Sequence, residues 1–77
     1  MEIYKCVKPT FQLYLLFDYE SKRAFIKGSI YDSEFYFKQI NRRPPNIYGN
    51  FYGREKAGFK ACCEIIEKFK EDFIKDK

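Results

Sequence analysis

From residue 11 the chain alternates between apolar and mixed positions. Phe11, Leu13, Leu15, Phe17 and Tyr19 interleave with Gln12, Tyr14, Leu16 and Asp18, the period of two of a strand with one buried face. A shorter run, Ile3 to Lys8, precedes it as a first strand that Pro9 ends. Arg23 to Tyr31 forms a third, with Ala24, Ile26, Gly28 and Ile30 on one face and Phe25, Lys27, Ser29 and Tyr31 on the other. Polar turns at Glu20-Ser21-Lys22 and Asp32-Ser33 separate these runs. Glu34 to Ile40 reads as a fourth strand, with Phe35 and Phe37 opposed to Tyr36 and Lys38. Connections this short favour an antiparallel meander, because parallel crossovers need a dozen or more residues.

The period changes near residue 55. Phe59, Cys62, Ile66, Phe69 and Phe73 recur at steps of three and four, widened by Ile65, and Lys60, Glu64, Lys68 and Glu71 occupy the opposite side. That pattern predicts one long amphipathic helix from about Glu55 to Lys75. Between sheet and helix, Asn41 to Gly53 is a loop whose Pro44-Pro45 pair excludes helix and central strand alike. The predicted fold is a single α+β domain over residues 1–77. It is a two-layer sandwich in which a four-stranded antiparallel meander precedes a C-terminal helix, in the order β-β-β-β-α.

Aromatic content complicates this picture. The 77 residues include nine Phe and seven Tyr, and each ring buries roughly 150–250 Å² when enclosed. So many rings exceed the needs of one small core, which predicts a second apolar surface. If Leu13, Leu15 and Phe17 face the helix, Tyr14, Phe25, Tyr31 and Tyr36 line the other side of the sheet, among lysines. Such a face suits stacking of single-stranded nucleic acid or contact with a second copy. A homodimer through it is the expectation for a chain with so small a core.

Charge adds a direction. The net charge is +4, and residues 41–60 carry all of it: Arg42, Arg43, Arg54, Lys56 and Lys60 stand against Glu55 alone. On the predicted fold these cations crowd a helix N-terminus, where they oppose the dipole unless an anion such as phosphate is bound. Tyr48, Phe51 and Tyr52 lie in the same stretch and are candidates to stack on exposed bases or dock on a partner. Gly53-Arg54-Glu55-Lys56-Ala57-Gly58 has the glycine spacing of a P-loop, but Phe59 and Lys60 stand where Lys and Ser/Thr are required.

The chemistry of an enzyme is not visible. The chain has no histidine, hence no ordinary general base near neutral pH and no Ser-His or Cys-His pair. Cys6, Cys62 and Cys63 have no C-x-x-C spacing, which predicts no metal, no disulfide and no cofactor. Met1 to Lys5 has no apolar signal core and the longest apolar run is Leu13 to Phe17, so a soluble cytoplasmic protein without a membrane partner is expected. The functional expectation is a non-catalytic module that binds single-stranded DNA or RNA, or a nucleoprotein machine. Its alternative is an inhibitor or adaptor, of the kind phages and mobile elements encode, docking on an acidic protein surface.

Overall fold

The computed structural model describes residues 1–43 and 54–76, with Ile30 and residues 54–56 described by backbone alone. Five strands, β1 (Glu2–Cys6), β2 (Leu13–Asp18), β3 (Arg23–Gly28), β4 (Arg54–Ala57) and β5 (Phe73–Asp76), form one sheet in the order β4-β3-β2-β1-β5. Every neighbouring pair is antiparallel. Helices α1 (Ile30–Gln39) and α2 (Phe59–Lys68) pack on the same face of this sheet, and a single 3-10 turn at Lys70–Asp72 leads into β5.

The first three strands follow the alternation of the sequence. Leu13, Leu15 and Phe17 of β2 and Ala24 and Ile26 of β3 face the helices and are buried. The hairpin between β2 and β3 turns through Lys22, at φ 56°, with Asp18 Oδ1 accepting from Ser21 N at 3.5 Å. Hydrogen bonds from Ser21 hold the Asp18 carboxyl below its usual range. At the end of β3, Gly28 has φ 113°, and a Cβ there would collide with the Gln12 carbonyl. Only glycine can turn the chain this closely against β2.

The predicted fourth strand, Glu34 to Ile40, is instead the body of α1. Ser29 caps it, Oγ accepting from Asp32 N at 3.4 Å, which is the Ser-x-x-acid arrangement of a helix start. Its buried residues are Ser33, Tyr36, Phe37 and Ile40, spaced i, i+3, i+4, i+7. This moves Ile30, Tyr31, Phe35, Tyr36 and Phe37 off the sheet. Tyr36 is the centre of the core, at 0% exposure, while Tyr31 is 79% exposed on the helix surface.

The predicted long C-terminal helix is divided among four elements, so the β-β-β-β-α order does not hold. Arg54 to Ala57 pairs with β3 as an edge strand. Gly58 is the N-cap of α2, its carbonyl accepting from Cys62 N at 3.0 Å, and the helix lasts ten residues. Phe69 leaves helical geometry at φ −118°, ψ 45°, and Phe73 to Asp76 then pairs with the otherwise bare edge of β1. The competing forces are close: a continued helix satisfies its own backbone, whereas β5 satisfies its own and that of β1. Phe69 and Phe73 both reach the Tyr36 ring, their centroids 5.0 and 5.1 Å from its own.

Much of the aromatic surplus is absorbed here. Phe11, Phe35, Phe69 and Phe73 all contact the Tyr36 ring. Tyr4, Tyr19 and Phe59 surround Phe17. The Tyr36 hydroxyl donates to Asp72 Oδ2 at 3.0 Å and lies 3.4 Å from Cys6 Sγ. Burial, then Cys6 and Asp72, push its ionisation well above the ordinary tyrosine range. This network ties the 3-10 turn to α1 and β1.

Candidate functional site

Both helices lie on one side of the sheet; among the described residues no helix packs on the other face, and cross-strand register fixes what that face presents. Residues paired across an antiparallel ladder share a face. One row runs Arg54, Lys27, Tyr14, Lys5, Ile74 from edge to edge. The next row, two residues along each strand, runs Lys56, Phe25, Leu16, Ile3, Asp76. Arg23 and Asp18 begin a third. The face thus holds five basic residues and two acidic ones, a net +3 of the chain's +4.

Its middle is apolar. Leu16, on the face opposite the helices, is 2% exposed. It stands outside the main core cluster, between its row neighbours Ile3 and Phe25, both half-buried. Tyr14 is half-buried too, with the exposed Lys27 ammonium 5.9 Å from its ring centroid. A recess of about 250 Å³ opens here, lined by Ile3, Tyr14, Leu16, Lys27 and Asp76. Aromatic and aliphatic surface here is bordered by the Lys27 ammonium on one side and by the Asp76 carboxylate at the β5 edge on the other.

The cations singled out in the sequence do not converge on a helix N-terminus. Arg54 and Lys56 belong to edge strand β4, in register with Lys27 and Phe25. Lys60 is exposed in the first turn of α2. Arg42 and Arg43 follow α1 on the helix layer, where Arg42 reaches Glu64 of α2 at 3.5 Å. Tyr48, Phe51 and Tyr52, with Pro44, Pro45 and Gly53, lie outside the described residues. Of the aromatic sheet-face set, Tyr14 and Phe25 are on the open face, while Tyr31 and Tyr36 are on α1. Ile3 and Lys5 join this face through the pairing of β1 with β2, and Asp76 through the pairing of β1 with β5, neither of which the sequence pattern specifies.

Among the described residues no three His, Cys, Asp or Glu side chains gather where they could hold a metal ion, and no helix is long and apolar enough to cross a membrane. The cysteines are free. Burial, with the neighbouring Cys63, pushes the Cys62 thiol up to about 12, and burial also raises Cys63, followed by Glu67. Neither is an activated thiolate. No family model matches this chain, and neither a curated protein nor a solved structure does.

Proposed function

We propose that the chain is a non-catalytic binding module for single-stranded nucleic acid, with the strand lying across the sheet face opposite the helices. The observation that carries this reading is the pair of rows on that face, with Tyr14 and Phe25 beside Lys5 and Lys27, and Arg54 and Lys56 in register with them at the β4 edge. Every base has a π-face that an aromatic side chain can stack on, and basic residues beside the ring engage the phosphates that follow. Charge separates this occupant from a second copy of the chain. An isologous dimer would oppose two surfaces of net positive charge, whereas a phosphate backbone neutralises them. The free thiols suit a reducing compartment such as the cytoplasm.

Fluorescence anisotropy with short single-stranded DNA and RNA tests the reading. If three to five phosphates are met, log K falls against log salt with a slope of roughly −2 to −3.5. Reversing Lys5 and Lys27 together to Glu should flatten that slope by about 1.4 or more, for every sequence alike. Tyr14→Ala should cost about 1–3 kcal/mol with the slope unchanged. Absence of binding at low salt overturns the reading, and an acidic protein surface then becomes the partner to seek.

A further inference from the structure

We infer that the recess between Tyr14 and Asp76 selects guanine from a bound strand, an inference that rests on the nucleic-acid reading above. The starting point is Asp76 itself. A carboxylate on a face that attracts phosphates weakens that attraction, yet Asp76 lines the same recess as Tyr14 and Lys27. An ionised carboxylate only accepts hydrogen bonds, and through two oxygens at once. Asp76 therefore selects for a ligand edge with two adjacent donors. On its Watson–Crick edge guanine presents N1–H and the N2 amino group side by side. Adenine and cytosine set one amino group beside a bare ring nitrogen, which a carboxylate repels, and thymine or uracil flanks its N3–H with two carbonyls.

Lys27 completes the complementarity. Guanine O6 adjoins N1–H and needs a donor, and the lysine ammonium offers three. Lys27 is on β3 and Asp76 on β5, three interstrand spacings across and one row along, or roughly 16 Å apart at the backbone. The lysine side chain spans part of that width, its Nζ already 5.9 Å from the Tyr14 centroid. Ile3, Leu16 and Tyr14 supply the rest of the lining, apolar and aromatic surface suited to one planar base. At about 250 Å³ the recess is smaller than the roughly 300–1,000 Å³ pockets that hold drug-sized ligands. A single base fits that size better than a whole nucleotide cofactor.

The test is anisotropy of the full chain with short labelled thymine oligonucleotides carrying one central guanine, adenine, cytosine or thymine. The native protein should prefer the guanine oligonucleotide by roughly 5- to 150-fold, the discrimination of a good bidentate contact. Asp76→Asn keeps the shape but turns one acceptor into a donor, and should level the four affinities without weakening the all-thymine oligonucleotide. Asp76 is exposed at the end of an edge strand, so the melting temperature should be unchanged. Lys27→Gln should reduce the preference only partly. Equal binding of all four oligonucleotides, or a guanine preference that survives in D76N, overturns the inference and leaves the nucleic-acid reading standing. Failure to bind any of them at low salt overturns both.

Discussion

The two faces of the sheet come from the same strands, residue by residue in alternation, and have opposite characters. On the covered side β2 and β3 contribute Leu13, Leu15, Phe17, Ala24 and Ile26, all at 1% exposure or less. The polar groups that enter this layer are paired, as the Tyr36 hydroxyl is with Asp72. On the open side the same strands offer Tyr14, Leu16, Asp18, Arg23, Phe25 and Lys27. Helices are needed on only one side of an antiparallel sheet. The side opposite the helices carries Lys5 and Lys27 beside Ile3, Leu16 and Phe25, with Arg54 and Lys56 at register positions of the β4 edge.

The sharpest separation of the two faces is a pair of phenylalanines. Phe17→Ala on the covered side should cost about 3–5 kcal/mol, since it removes a ring packed against Tyr4 and Phe59 and leaves a cavity. Phe25→Ala on the open side should cost much less in stability and weaken strand binding by about 1–3 kcal/mol. Urea unfolding and anisotropy on both variants measure the contrast. Equal losses of stability would mean that the open face is part of the fold's support and not a surface held for a ligand.

The legibility of the fold in the sequence follows the same division. β3, and β2 apart from the buried Leu16, were readable because strand alternation there coincides with burial, while β1 was marked off by the Pro9 that follows it. The segment 30–39 was not, because Ser33 is a buried polar residue in the middle of the helical stripe and breaks its apolar appearance. With Ser33 hidden, Phe35, Tyr36, Phe37 and Lys38 read as strand alternation. The capping pair Ser29 and Asp32 was the available signal for a helix start. At the C-terminal end the stripe of Phe69 and Phe73 is compatible with both helix and strand, and the unpaired edge of β1 decides between them. For the candidate site, Tyr14, Phe25 and Lys27 were readable from alternation within β2 and β3. Lys5 and Asp76 were not, since they join the site only through long-range pairing.

Alkaline pH should act on the covered side. Cys62 holds its proton to about pH 12 in the folded chain, whereas an unfolded thiol releases it near ~8.5. Between those values the folded state binds more protons, so this contribution to stability is complete below the lower value and lost as pH rises toward the upper. Tyr19, raised to about 12 by burial and then by its hydrogen bond to Glu2, acts in the same direction from about pH 10 upward. The melting temperature should therefore fall steadily above about pH 9, and Cys62→Ala should make that fall shallower. A melting temperature independent of pH from 9 to 11 would contradict the burial of the Cys62 thiol.

The smallest effect is expected where the two layers carry similar charge but only one has the open face. Arg42 and Arg43 are exposed at the end of α1, and Arg42 meets Glu64 at 3.5 Å with both side chains partly solvated. Exposed pairs of this kind contribute about 0–1 kcal/mol, so reversing both arginines to Glu should change stability by no more than about that amount. The substitution alters net charge by as much as reversal of Lys5 and Lys27 does. If long-range charge alone attracts the strand, the two double variants will lose affinity equally and show the same salt slope. If the strand lies on the sheet, Lys5 and Lys27 lose direct phosphate contacts and their slope flattens. The arginine variant, more than a Debye length of about 8–10 Å from a strand on the far side of the sheet, should retain nearly the native slope at physiological salt. A flattened slope in the arginine variant with a native slope in the lysine variant would transfer the interface to the helix layer.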